Sequence, residues 1–467
     1  MDFGNTVSNP RIGNVKIEIR SMDKKISILG AGESGTGSAL LAKAKGYTVF
    51  VSDQGEISPK YKTVLEEYGI AFEEGKHSEE EILSSDLVIK SPGIPDKAYI
   101  VRKLVEHNIP VISEIEFAAK YTQAKLVAIT GSNGKTTTTL FTYHLLKEMG
   151  LNVGLAGNVG KSFAWQVWAD DKDYYVLELS SFQLDGMYTV KPVVVILLNI
   201  TPDHLDRYDY KLQNYVDSKF RIAQNVDENS FFVVYTDDPI VSNEMTVRDF
   251  DTNVLTLSLK NASATGAHSN SSLINLNNGD EKITLPVELL PLKGKHNLVN
   301  MMAGFVAASC LGLDAHKFVE KASTFKNAAH RLEKVRILHE VTYINDSKAT
   351  NVDSVYYALD AMDRQIIWIA GGVDKGNDYS AIHDLVKEKV KALICLGTDN
   401  SKLHDFFGNT IELMVDASSM KEAIEKAKAI AHSGDVVLLS PACASFDLFK
   451  NYEDRGDQFK TLVSELV

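Results

Sequence analysis

Gly131-Ser-Asn-Gly134-Lys135-Thr136-Thr137 follows the apolar run Leu126–Ile129 and leads into a stretch with helical spacing. Two glycines let the backbone bend so that successive N–H groups turn inward. The helix that follows adds the positive end of its dipole, and Lys135 adds a full charge. Such a loop cradles phosphates, with the Thr136 hydroxyl available to Mg²⁺. The general phosphate loop carries a further glycine where this chain has Ile129, so the loop is a shortened form. Alone, it also fits an ordinary strand-to-helix turn with an exposed lysine.

A second glycine turn lies earlier. Lys25-Ile-Ser-Ile-Leu29 reads as a strand, Gly30-Ala-Gly32-Glu-Ser-Gly35 as the turn, and Ala39 to Lys45 as a helix. The next strand, Tyr47 to Ser52, ends at Asp53. G-x-G-x-x-G with an acidic residue about twenty positions on holds a diphosphate at a helix N-terminus and a ribose on the carboxylate. The pattern leaves open NAD, another nucleotide diphosphate, or a purely structural turn. Ser91-Pro-Gly closes the strand Asp86–Lys90 at the sheet edge where ligands sit in open α/β folds.

Further polar groups gather where apolar strands end. Glu178 closes one and is placed to share Mg²⁺ with Thr136. Asn199-Ile-Thr-Pro-Asp203-His204 closes another, though a His after Pro-Asp reads equally as a turn residue. Asn297 and Asn300 stand one turn apart at the start of an apolar helix, where Asn297 could instead be the N-cap. Lys219, by spacing, is a solvated helix lysine.

The elements that must position these groups alternate strand and helix along most of the chain, which implies mainly parallel sheets. Strands are expected at 174–179, 192–200, 231–235, near 343, and at 365–370, 392–396 and 435–439. An antiparallel flank rich in Asn, Ser and Thr is expected over 236–291. A chain of 467 residues exceeds one core. The expected architecture is α/β, with three domains in series: a Rossmann-like domain over 25–120, a central mononucleotide-binding parallel-sheet ATPase domain over 121–327, and a Rossmann-like domain over 328–467. Residues 1–24 read as an extension without an apolar leader.

A net charge of −13 argues against nucleic acid or an anionic membrane as partner. The three cysteines, Cys310, Cys395 and Cys443, stand far apart in apolar runs and read as reduced core residues of a cytoplasmic protein.

Taken in order, Gly131–Thr137, Gly157-Asn158-Val-Gly160, Glu178-Leu-Ser-Ser-Phe-Gln183, Asn199–His204, Lys219, His296-Asn297, His330-Arg331, Asn345-Asp346-Ser-Lys348-Ala-Thr350 and Ser440-Pro-Ala-Cys-Ala-Ser445 resemble the Mur ligases from Lys25 to the C-terminus. The pattern is most similar to the branch that adds D-glutamate to UDP-N-acetylmuramoyl-L-alanine in peptidoglycan precursor synthesis.

The resemblance implies ATP-dependent amide formation through an acyl phosphate on small-molecule substrates; the chain is expected to act as a monomer. It implies that Gly131, Ser132, Asn133, Gly134, Lys135, Thr136, Thr137, Asn297, Asn300, Arg331 and Asp346 bind ATP. Two Mg²⁺ sites would be served by Thr136, Glu178, His204 and Lys219, with Lys219 N-carboxylated. Lys135, Glu178, His204 and Lys219 would be catalytic. Ser34, Gly35, Asp53, Ser91, Asn158 and His204 would hold the UDP substrate, which turns the first glycine motif away from NAD. Thr350, Lys375, Ser445, Phe446 and Tyr452 would hold the amino acid. A ligase for another amino acid, a folylpolyglutamate synthase-like enzyme, a dinucleotide oxidoreductase and a non-catalytic nucleotide-binding regulator are the alternatives.

Overall fold

Five short strands near the start of the chain form the first sheet, ordered Ala71–Glu74, Thr48–Asp53, Lys25–Leu29, Leu87–Lys90, Val111–Ile112 and wholly parallel. This is the strand order of a Rossmann half, with the order reversing beside Lys25–Leu29 at the glycine turn. The structure is a computed structural model that describes residues 24–262, 265–270, 272–277, 282–374 and 376–467. It also describes the backbone of an antiparallel strand pair, Val7–Asn9 and Gly13–Val15, within the N-terminal extension.

The second sheet has nine strands, in the order Lys282–Pro286, Leu273–Asn277, Gly266–Ser269, Asn253–Ser258, Phe231–Tyr235, Val194–Leu197, Lys125–Thr130, Tyr174–Glu178, Val153–Gly157. Its central strands are buried on both faces, which is why they read as unbroken apolar runs and not as alternations. The flank expected to be antiparallel is so only over its last three strands, since Asn253–Ser258 and Gly266–Ser269 run parallel. Apolar–polar alternation reads the same in either direction, so direction was not legible there.

The helix Lys295–Cys310 buries Met301, Met302, Phe305 and Val306, with Phe305 edge-on to Phe141 of the helix Lys135–Glu148 and stacked on Phe318.

The third sheet is ordered Glu333–Leu338, Val341–Asn345, Val436–Leu439, Ile366–Ala370, Val390–Leu396, Leu413–Ala417, parallel except for its first pair. The strand Glu333–Leu338 escapes a sequence reading because its hairpin turn is His339-Glu340. Both residues take positive φ, +48° and +63°, without the Asn-Gly signature. The chain packs as two compact units. One contains the first two sheets with residues 299–325; the other contains residues 291–298 and the third sheet.

Candidate functional site

The phosphate-type loop springs from the carboxyl end of Lys125–Thr130, a strand flanked on both sides by parallel neighbours and third from one edge of the nine-stranded sheet. Gly131 and Gly134 both take positive φ, and a Cβ on Gly134 would stand 2.5 Å from Asn300 Oδ1. Only glycine fits there, and Asn300 is thereby tied to the loop; its Oδ1 also accepts from Thr138 Oγ1 at 3.1 Å.

The neighbouring strand braces the loop from the side. Asn133 N–H donates to Asn199 Oδ1 at 2.8 Å, Asn199 Nδ2 returns a bond to Asn133 O at 3.0 Å, and Ser132 N–H reaches Asn199 O at 2.8 Å. Asn199 was visible in its motif but was not singled out as a site residue. Its signal is its position, an amide at the end of a buried strand adjacent to the loop strand.

Lys135 folds back on the loop, donating to Gly131 O at 2.7 Å and Ser132 O at 2.8 Å. Lys219 is not the solvated lysine that spacing implies. It is 1% exposed, and its Nζ donates to Gly131 O at 2.8 Å and Thr130 Oγ1 at 3.3 Å and lies 5.1 Å from the Tyr215 ring centre. Burial, then the charge of Lys135, push its ammonium well below the usual lysine range, so the amine is held toward its neutral form.

Glu178, 2% exposed, closes the strand on the other side of the loop strand. Its Oε1 accepts from Asn158 Nδ2 at 2.8 Å, while Oε2 is buried with no hydrogen-bond partner. A buried, unpaired carboxylate oxygen is costly unless a cation meets it, so Glu178 fits a Mg²⁺ ligand. The buried Thr136–Thr137 start of the helix offers hydroxyl groups on the same loop.

His204 takes φ +51°, with Nε2 3.5 Å from Asp203 Oδ2 and its ring edge-on to Phe182 at 5.2 Å. A left-handed non-glycine residue among polar side chains is the kind of strain that clusters at active sites. Arg207 stacks on Phe182 at 4.3 Å and reaches the carbonyls of Pro92 and Gly93, connecting this loop to the Ser91 turn.

At the first sheet, the structure brings Gly30–Gly35, Asp53 and Ser91 together. A Cβ on Gly30 would meet Ser91 Oγ at 2.5 Å, and one on Gly35 would meet Gly30 O at 1.8 Å. Asp53 Oδ2 accepts from Ala31 N–H at 2.7 Å, so this carboxylate fixes the turn itself. Ser34 is half-buried at the helix start and Gly35 is buried.

In the second compact unit, Asn297 lies within the helix and donates to Lys293 O at 2.8 Å, so the N-cap alternative is not realised; the helix begins at Lys295. Asp346 accepts from Ser440 Oγ at 2.8 Å and Leu332 N–H at 3.1 Å. Burial pushes its carboxyl from the ordinary 3.8 up to about 7, against those bonds and the nearby Arg331. Tyr452 OH accepts from Lys348 Nζ at 2.6 Å. Thr350 is exposed, Ser445 buried and Phe446 70% exposed, while Lys375 lies outside the described residues.

Arg455, 1% exposed, was missed because an arginine in a polar helix carries no sequence signal. It bonds Ser347 Oγ and O and Cys443 O, tying the loop after Asn345 to the loop after Leu439.

Three family models match successive stretches of the chain. Residues 25–99 match the MurD N-terminal domain, 129–308 the Mur ligase middle domain, and 330–443 the Mur ligase glutamate ligase domain. The chain is 54% identical to a UDP-N-acetylmuramoylalanine–D-glutamate ligase of Cytophaga hutchinsonii over 96% of its own length and all of that protein's. It is 50% identical to the one of Bacteroides fragilis over 95% and all. In fold it is similar to a pseudomurein peptide ligase type C of Methanothermus fervidus (TM-score 0.62, 20% identity, covering 95% of this chain and 100% of that one). It is likewise similar to a UDP-N-acetylmuramate-alanine ligase of Thermotoga maritima (TM-score 0.59, 19% identity, 94% and 98%).

Proposed function

The chain belongs to the Mur ligase family, and from that premise we infer that it joins D-glutamate to UDP-N-acetylmuramoyl-L-alanine while ATP becomes ADP and phosphate. A carboxylate at neutral pH repels nucleophiles and has no leaving group. Transfer of the γ-phosphoryl group to one carboxylate oxygen supplies one; the amine of D-glutamate then attacks the acyl carbon, and phosphate departs with the C–O bond electrons.

The side chains divide this work. The N–H groups of Gly131–Thr137 and the Lys135 ammonium bind the ATP phosphates, and Asn199 keeps the loop in shape. Thr136 and Glu178 would hold one Mg²⁺, and His204 and Lys219 a second; bound there, Mg²⁺ offsets charge as anionic reactants meet. Lys219, kept toward its neutral form, retains the lone pair with which Nζ can add to CO₂, forming an N–C bond and releasing a proton. The resulting carbamate is the anionic ligand a bare lysine cannot be. Ser34, Gly35, Asp53, Ser91, Asn158 and His204 are the proposed contacts to the UDP substrate. Thr350, Lys375, Ser445, Phe446 and Tyr452 are those to D-glutamate, and Asn297, Asn300, Arg331 and Asp346 those to the nucleotide.

We place the reaction in the cytoplasm, carried out by a monomer. Among the described residues no helix is long and apolar enough to cross a membrane.

The observation that carries this reading is the convergence on one loop of Lys135, Lys219 and the unpaired Glu178 oxygen, in a chain matching the glutamate-adding ligases nearly end to end. Phosphate release with Mg-ATP and UDP-N-acetylmuramoyl-L-alanine, across a panel of amino acids including both glutamate enantiomers, tests it. Release is expected with D-glutamate; release driven by a different amino acid would overturn the specificity.

A further inference from the structure

On the third sheet, Cys395 and Asp416, neither of them among the site residues above, are register partners on adjacent parallel strands. The helix Ser401–Phe407 follows the first of these strands and places His404 over the same spot, its Nε2 2.9 Å from Asp416 Oδ1. The cysteine sulfur, one histidine ring nitrogen and one aspartate oxygen all lie within 4.8 Å of one another. Asn400, at the start of that helix, holds the arrangement: its Nδ2 donates to Asp416 Oδ1 at 2.9 Å and to the Cys395 carbonyl at 3.1 Å.

We propose that Cys395, His404 and Asp416 form a binding site for a thiophilic divalent ion of the Zn²⁺ type, separate from the Mg²⁺ ligands of the phosphate loop. Sulfur at about 2.3 Å and nitrogen and oxygen at about 2.0–2.2 Å from a tetrahedral ion stand roughly 3.5 Å apart. Small side-chain rotations therefore bring the three donors onto one centre, leaving the fourth position to water. A thiolate–imidazole–carboxylate set selects Zn²⁺ over Mg²⁺, which demands oxygen ligands in octahedral array. The sulfur is buried while His404 and Asp416 are 39% and 62% exposed, which gives the ion a path from solvent to the deepest ligand. Binding forms an S–metal bond and releases the thiol proton to solvent.

The site has a mechanical consequence. Lys402, on the same helix, pairs with Asp374 Oδ1 at 2.9 Å, and Asp374 precedes Lys375, the proposed partner of the amino acid's side-chain carboxylate. An ion that pins Ser401–Phe407 to the two strands stiffens the anchor of that loop.

Cobalt(II) is the probe. Titrated into the purified full chain in the presence of excess Mg²⁺, it is expected to give a thiolate-to-cobalt charge-transfer band in the near ultraviolet that saturates at one equivalent and is removed by Zn²⁺. Oxygen-ligated cobalt at the phosphate loop gives no such band. Cys395→Ala should abolish it, and the more exposed His404→Gln, which leaves the core untouched, should weaken cobalt affinity at least about tenfold. No thiolate band on the wild type, a band that survives Cys395→Ala, or unchanged affinity in His404→Gln would each overturn the proposal.

Discussion

Lys135 and Lys219 donate to the same oxygen, the Gly131 carbonyl, at 2.7 and 2.8 Å. Two ammonium groups on one acceptor in a buried setting repel each other, and the deeper one yields its proton more readily. Burial, then the charge of Lys135, thus push the Lys219 ammonium toward its uncharged amine.

Replacing Lys219 separates charge from carbamate chemistry. Lys219→Ala is expected to lower kcat by about 10²–10³, the scale for losing a positioned electrostatic group. Lys219→Arg, permanently charged and unable to take up CO₂, should be no better. Added short-chain carboxylates should restore part of the Lys219→Ala rate; steady-state kinetics with and without them check this.

Glu178 is oriented through one oxygen only. Asn158→Ala removes its single side-chain donor, and the Mg²⁺ concentration for half-maximal rate should rise about 10–100-fold, the usual range for a group that orients a metal ligand. Glu178→Gln should raise it further, read from Mg²⁺ titrations at saturating ATP.

Gly134→Ala should destabilise the first compact unit by about 1–2 kcal/mol, because φ is +83° and the new methyl meets Asn300 Oδ1. Urea unfolding measures the loss, and the KM for ATP should rise in parallel.

Asp346 sets a pH dependence of stability. Between about pH 4 and 7 the unfolded side chain is ionised while the folded one keeps its proton, so the folded state binds more protons and stability falls as pH rises. Above about 7 both forms are ionised and the dependence stops. Asp346→Asn should therefore gain on the wild type by roughly 3–4 kcal/mol across that window, seen in unfolding midpoints at pH 4.5, 6 and 7.5.

The glycine turns and the strands that feed them were legible because both announce themselves locally: positive φ at a tight turn favours glycine, and a strand buried on both faces is apolar throughout. Lys219 was not legible from spacing, since its side chain is buried against a loop far back in sequence, and only the family resemblance marked it. Asn199 and Arg455 escaped for a related reason. Each serves by bonding backbone in a distant segment, and one amide or guanidinium looks like any other in sequence. The first strand of the third sheet was hidden by a hairpin turn built from His and Glu.

The central claim is that the acceptor carboxylate is activated by phosphorylation on this loop. Acceptor carrying heavy oxygen in its L-alanyl carboxylate, turned over with Mg-ATP and D-glutamate, tests it most directly by mass analysis of the phosphate released. One heavy oxygen in each phosphate is the expected result. Phosphate released with amide product but without the label would contradict the account.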